Sequence, residues 1–402
     1  MPGSATQLAD VARAFSGYRL TIARQLAGLR KNALAERIGK TPTAVAGYET
    51  GIKRPAAATV AQLALSLGVD PSFFLPGLGD YRLGGGRKDD LAAGPQTPHF
   101  RSLRSATQIV RDQASAYGML VGEIAASLER HVELPVRDLL HFPVSPDAPA
   151  PGEPEEAARM LRKEWHIPPG PIRHLVRLAE HHGIIIVYSI PQAASIDAFS
   201  QETTSRPLIM LNPVKDDYFR QRFDVAHEIG HLVMHSDAEP GNRVVEDQAH
   251  RFAAEFLMPE SDIADSLPAK ANWTRLLALK EAWGVSIQAL LMRARQLSIM
   301  PENAYGTAMS TVSARGWRRR EPGVMPLPER PSLLPRSVEL LVEAGYDAAL
   351  LAAECRVPVP VFNAATARQP LLTFDLPVAE YPIAKASENS PENLFELAAF
   401  RR

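Results

Sequence analysis

RQRFDVAHEIGHLVMH (220–235) decides how the larger part of this chain is read. His227 and His231 are four residues apart, so on an α-helix both imidazoles project from one face at the spacing a tetrahedral ion needs, with Glu228 beside them. Phe223, Ala226, Ile229, Gly230 and Val233 supply the face that packs on a core. A zinc ion needs a third protein ligand, and VVEDQAHRFAAEFLMPE (244–260) offers one, as a helix with Phe252, Ala253, Phe256 and Leu257 inward. Glu246 is preferred: it lies 15 residues past His231, room for a helix end, a turn and a return pass. His250, one turn further on the same face, suits a partner that orients Glu246 or a zinc-bound water. His235, Asp247 and His250 itself are the rival third ligands. His235 falls ~80° further round an ideal helix than His227, at the helix end or the rim of the site.

Three protein ligands leave a fourth position for water, whose pKa the ion lowers toward ~7. Glu228 is then placed to act as general base and to pass the proton to a leaving amine. The reaction implied is peptide-bond hydrolysis without a covalent intermediate. Cys355, the one cysteine in the chain, sits in a small-residue patch and reads as a buried apolar thiol. A single cysteine excludes a disulfide framework within the chain and points to a reducing compartment. The first twenty residues lack a basic start followed by an apolar core, and no run approaches the ~20 apolar residues that span a bilayer. A soluble, cytoplasmic protein with no membrane partner is expected.

Working outward, HLVRLAEHHGIIIVYSI (174–190) reads as a helix ended near Gly183 and then a buried strand, RPLIMLN (206–212) as a second strand, and helices follow to about Gln296. LKEAWGVSIQALLMRARQL (279–297) has a helix-turn-helix look, but its Leu/Ala/Trp spacing reads as core. GLGDYRLGGGRKDDLAAGPQTPHF (77–100) is a linker, a helix runs from about Arg101 to His131, and PVSPDAPAPGEPEEA (143–157) is a break that leads into a helix, EEAARMLRKEW. The tail from 320 is proline-rich with one helical patch, Arg336–Glu354, and GWRRRE (316–321) reads as a solvated basic surface. The divisions expected are 1–79, a linker with a helical segment over 80–155, a metal-bearing domain over 156–317, and 318–402, to which the sequence assigns no function. The fold class is predominantly α with a small β-sheet.

The net charge of -1 hides an asymmetry, because residues 1–79 carry nine Lys/Arg against four Asp/Glu. In that part Leu34, Ala35 and Ile38 make one face of a short helix, Gly39 can close it in a left-handed conformation, and Thr41 can cap the next helix with Pro42 in its first turn. This is a helix-turn-helix layout. The second helix, Pro42 to about Thr50, is expected to offer its amino-terminal side chains to the major groove of double-stranded DNA. Lys31, Lys40, Lys53 and Arg54 would neutralise phosphates. The reading face carries Pro42, Thr43, Ala44, Ala46 and Gly47, of which only Thr43 has a polar side chain, so no bidentate reader of bases is present there. A homodimer is expected, since this class of module reads two half-sites.

The residues LAERIG, the Tyr48-Glu49-x-Gly51 step, Arg54-Pro55 and LALSLGV resemble the phage-repressor (Xre/Cro) helix-turn-helix family. From about Glu155 to Trp317 the chain resembles the ImmA/IrrE family of metallo-endopeptidases, through IDAFS (196–200), RPLIMLN, RFDVAHEIGH, the Glu246-x-x-Ala249-x-x-Phe252-Ala253 helix with LMPE, and LKEAWGVSIQALLMRARQL. The resemblance implies an all-α helix-turn-helix domain followed by an α+β zincin-like domain, with zinc held by His227, His231 and Glu246 and with Glu228 as catalytic base. Family members fused to an Xre-type domain are regarded as regulators: some cleave a repressor, and others act as transcription factors with no established proteolysis. A subgroup senses acyl-coenzyme A through a cysteine-bearing carboxyl-terminal domain, and one cysteine cannot build a multi-cysteine site. The expectation is a DNA-binding regulator whose zinc domain cuts a peptide bond in a regulatory protein. Its alternatives are a transcription factor whose zinc domain senses a ligand or serves as scaffold, and an antitoxin or antirepressor that acts by protein contacts.

Overall fold

The computed structural model describes residues 3–77, 99–100, 106–145, 152–203, 205–235, 243–371 and 373–374. The glycine-rich stretch expected as a linker lies outside the described residues from 78 to 98, as do 146–151 of the proline-rich break and the chain end beyond 374. Five helices open the chain: α1 (Gly3–Arg13), α2 (Gly17–Leu26), α3 (Lys31–Arg37), α4 (Pro42–Glu49) and α5 (Ala57–Leu67). The expected turn is present, with Gly39 at φ +61° and the Thr41 side chain accepting from the Ala44 amide at 3.2 Å. Leu20, Leu34, Val45, Val60, Leu63 and Phe74 are fully shielded and form the centre of this unit.

A long helix, α6 (Gln108–Leu128), precedes α7 (Glu153–Glu164) and α8 (Leu175–His181). Among the described residues there are four strands, β1 (His99–Phe100), β2 (Ile185–Tyr188), β3 (Ala198–Glu202) and β4 (Pro207–Leu211), in the order β1-β3-β4-β2. β2 runs parallel to β4, and β3 is antiparallel to both of its neighbours. Side chains alternate across the sheet as the strand period requires. Ile185, Val187, Phe199, Leu208 and Met210 join one core, and Ile186, Tyr188, Ala198, Ile209 and Leu211 join the other. Both faces are covered, which is why RPLIMLN reads as a continuous apolar run.

The second core belongs to α9 (Tyr218–Met234), α10 (Arg243–Leu257), α11 (Glu260–Ile263), α12 (Trp273–Trp283), α13 (Ile287–Gln296) and α14 (Glu302–Ala314), with α7 and α8. Val285, Ile287, Leu290, Leu291 and Ala294 are buried, so the 279–297 segment is core as expected. Beyond 317 the chain stays tied to this half. The Glu321 side chain, 7% exposed, accepts from Lys280 Nζ at 3.0 Å and from the amides of Ile287 and Gln288 at the start of α13. It is therefore a buried cap rather than the solvated surface expected of GWRRRE, whereas Arg318, Arg319 and Arg320 are exposed. Glu329 accepts from the Arg222 guanidinium at 2.5 Å and from the Val176 amide at 2.7 Å.

The first core unites the amino-terminal helices, α6, one face of the sheet, and three carboxyl-terminal helices, α15 (Leu333–Glu343), α16 (Ala348–Glu354) and α17 (Val359–Ala365). Helix α6 lies close on the sheet: a Cβ at Gly118 would meet Met210 Cε at 2.6 Å, and one at Gly122 would meet Thr203 at 2.7 Å. Cys355 is buried beside Ser127, and burial raises its thiol pKa above the ordinary value, in keeping with an inert thiol. Among the described residues no single helix is long and apolar enough to cross a membrane.

One buried residue fastens this assembly. Arg19 of α2, with none of its side chain exposed, donates to the Phe73 carbonyl at 2.8 Å and the Arg356 carbonyl at 2.5 Å, and pairs with Glu123 of α6. Its guanidinium carbon also sits 3.9 Å from the Phe73 ring centroid. Removing one partner of a buried pair leaves a charge without its counter-ion. Glu123→Leu is therefore expected to destabilise the protein by about 3–5 kcal/mol in urea unfolding, and adding Arg19→Met to it should recover part of the loss.

Candidate metal centre and DNA-binding module

Helix α9 starts where Asp217 caps it, its carboxylate accepting from the Phe219 and Arg220 amides at 3.1 Å each. Val225, Ala226, Ile229 and Val233 face the core, which turns His227 and His231 inward one above the other, each with 0% exposure. Helix α10 packs against α9 through Ala249, Phe252, Ala253 and Phe256 and carries Glu246 in its first turn. The three side chains converge. His227 Nε2 and His231 Nε2 are 3.1 Å apart, Glu246 Oε2 is 3.3 Å from His227 Nε2, and Glu246 Oε1 is 3.7 Å from His231 Nε2. Ligands ~2.0–2.1 Å from one tetrahedral ion stand ~3.3 Å from each other, so the observed separations suit such an ion. Two buried imidazoles and a carboxylate that is 18% exposed leave the Glu246 side as the more open approach.

Glu228 is wholly buried, and its Oε2 accepts from Ser200 Oγ at 2.8 Å. Ser200 lies on β3 between Phe199 and Gln201, which face α6; the two-residue period turns Ser200 to the other side, toward α9. His235 closes α9 and is not among the converging ligands. Its Nδ1 lies 3.1 Å from His231 Nδ1, and its Nε2 lies 2.9 Å from Gln248 Oε1. His250 Nδ1 accompanies the Glu246 main-chain carbonyl at 2.7 Å, and its ring lies 4.5 Å from that of His227. Among the described residues the group that could hold a metal ion thus comprises His227, His231 and Glu246, and Asp247 is not in it.

Beside the centre is a cleft of about 370 Å³ that includes Phe219, Phe223, His250, Ala254, Ala289 and Met292 in its walls. Its polar part holds Lys215, 2.5 Å from Asp224 and 3.2 Å from Asp197. Ser200, Gln248 and this cleft were not singled out from sequence. The signals that existed are weak ones: a serine in a short alternating run, and a glutamine that is polar on an otherwise apolar helix.

In the amino-terminal module Thr41, Pro42 and Thr43 are exposed at the start of α4 and Ala44 is half-buried, as a groove-facing helix end requires. Gly47 departs from the expectation, because it is buried beneath the stem of Lys53, whose side-chain carbons lie 3.3 Å from where its Cβ would be. Lys53 and not Gly47 therefore presents the surface at that point. Lys40, Lys53 and Arg54 are exposed, and Arg54 donates to the Arg13 carbonyl at 2.9 Å. Lys31 is 3.2 Å from Glu49, a carboxylate 4% exposed that also holds Arg24.

The fold and the site define a helix-turn-helix module joined to a metallopeptidase-like domain. Residues 179–295 match the family model of the IrrE N-terminal-like domain, and residues 20–74 match that of a helix-turn-helix domain. The chain is accordingly a DNA-binding regulator type with a peptidase-like domain fused to it. No curated protein matches the chain.

The charge arrangement sets which lysines count on DNA. Lys40→Gln and Lys53→Gln should each lower the slope of log K against log salt by about 1 per bound module, and Lys31→Gln, whose charge faces Glu49, by much less. Fluorescence anisotropy on the DNA upstream of its own gene, across a salt series, reads these slopes.

Proposed function

We propose that this protein is a transcriptional regulator whose second domain binds zinc through His227, His231 and Glu246 and hydrolyses a peptide bond in a regulatory protein. The observation that carries this reading is the convergence of three ligand atoms from α9 and α10 next to a buried carboxylate held by Ser200. Zinc bound there would polarise a peptide carbonyl and acidify a water. Glu228, held at Oε2 by Ser200, is the group that would act as general base toward such a water and return the proton to the departing amine. Burial of both imidazoles excludes bulk solvent and strengthens each charge interaction in the site. The cleft along Phe219, Phe223, His250 and Met292 receives the polypeptide, with apolar side chains against the aromatic wall. Double-stranded DNA is bound by the α3–α4 unit through Lys40, Thr41, Pro42, Thr43, Ala44, Lys53 and Arg54, with two copies of the chain on two half-sites.

A second reading, in which the zinc domain senses a ligand and controls DNA binding with little turnover, is favoured by one path of contacts. Strand β3 carries Ser200 on the site face and Gln201 on the other, where Gln201 Nε2 lies 2.9 Å from Met119 Sδ of α6. The same helix holds Arg19 of the DNA-binding unit through Glu123.

Glu228→Gln separates the readings. The proposal expects a variant that keeps one zinc per chain by elemental analysis and loses cleavage of the co-purified or co-expressed partner repressor by about 100-fold or more. Unchanged release of repression in cells, with zinc retained, would remove proteolysis from the account and leave the sensing reading.

A further inference from the structure

His235 and Gln248 lie behind the ligand His231, and their hydrogen bonds determine where its proton sits. Gln248 is 1% exposed, and its amide is oriented by Nε2 donating to the Ser145 carbonyl at 3.1 Å. Oε1 is thereby the atom 2.9 Å from His235 Nε2. An amide oxygen only accepts, so the proton between them belongs to His235 Nε2. A neutral imidazole protonated at Nε2 has its lone pair on Nδ1. That nitrogen is 3.1 Å from His231 Nδ1, which must then supply the shared proton. His231 is left with a lone pair on Nε2, the atom that faces His227 Nε2 at 3.1 Å and Glu246 at 3.7 Å.

We infer that Ser145, Gln248 and His235 form a relay that fixes His231 as its Nδ1–H tautomer and so presets Nε2 as a metal ligand. His235 and Gln248 are positioning residues of the centre, acting through His231. The inference rests on reading His227, His231 and Glu246 as the zinc ligands. A metal displaces a proton from any nitrogen it binds, so a His231 that held its proton on Nε2 would first have to exchange it. The relay lets His231 offer Nε2 without that exchange. It also assigns His235, a rival ligand by sequence, to the layer behind the ligands, and it accounts for a buried glutamine on the apolar face of α10.

The test uses the full-length protein and zinc as the probe. In the metal-free, ¹⁵N-labelled wild type, long-range ¹H–¹⁵N spectra should show His231 protonated at Nδ1 and bare at Nε2. Gln248→Met removes the acceptor, whereas Gln248→Glu keeps an acceptor for His235 Nε2–H. Chelator competition should then show zinc affinity lower by about 10–100-fold in Gln248→Met and within about threefold of wild type in Gln248→Glu. His235→Phe breaks the relay from its other end and should match Gln248→Met, which keeps the test alive if one variant does not fold. A His231 protonated at Nε2 in the wild type would overturn the relay, and so would equal zinc affinity in Gln248→Met and wild type. Equal losses in the Met and Glu variants would assign Gln248 to packing alone and overturn it too. If the wild type binds no zinc, the proposed ligand set fails, while the nitrogen spectra of the metal-free protein still judge the tautomer.

Discussion

The approach of α9 to α10 at Gly230 is the constraint on which the site depends. A Cβ at this position would meet the Phe252 ring at 2.9 Å, so any other residue would force the ring or the helices to shift. With glycine there, the ring of Phe252 settles against the α9 backbone and the first turn of α10 lands opposite the two imidazoles. Glu246 then reaches both. Ligand separations of 3.1 to 3.7 Å leave little tolerance, because an ångström of displacement is about a third of each. The sheet side supplies the matching restraint through Ile209, Leu211 and Ala198 beneath α9.

Such a site gathers polar groups that burial would otherwise penalise. His227, Glu228 and His231 are all at 0% exposure, and a buried carboxylate or imidazole costs several kcal/mol unless partners satisfy it. The protein meets this by attaching Glu228 to Ser200 and His231 to His235 and, through it, Gln248. Elsewhere the same half of the molecule uses buried arginines in a similar manner. Arg222 reaches the Gly284 carbonyl and Glu329, and Arg293 pairs with Glu255 and donates to the Met258 carbonyl. These ties fix the loops around α9 and α10 and hold the chain beyond 317 onto the half that contains them.

The parts of this arrangement that were legible in the sequence are those set by local geometry. His227 and His231 share a face because a helix has 3.6 residues per turn, and Gly39, Thr41 and Pro42 announce a turn and a capped helix by their own conformational preferences. The parts that were not legible depend on tertiary register. Ser200 reaches Glu228 only because β3 pairs with β4 so that Ser200 lies opposite Ile209, and AFSQE is too short and mixed to read as a strand alone. Helix α17 was hidden in VPVPVF, since prolines read as breakers although Pro360 is tolerated in a first turn. Gly47 shows the converse failure: helical position placed it on the reading face, but the stem of Lys53 folds over it. Helix α6 was expected within a linker, and its glycines instead bring it into contact with the sheet.

Helix α6 links the two cores, touching α2 through Glu123 and β3 through Met119, so the amino-terminal unit packs on one face of the sheet and α9 and α10 on the other. The whole account nonetheless turns on whether His227, His231 and Glu246 bind one ion. The most direct measurement is zinc K-edge absorption fine structure on protein loaded with one equivalent of zinc. The account predicts two imidazole nitrogens and oxygen neighbours at ~2.0–2.1 Å, with the imidazole signal lost in His227→Ala/His231→Ala and kept in Glu228→Gln. An imidazole signal that survives the double substitution, or a shell without two imidazoles in the wild type, would contradict it.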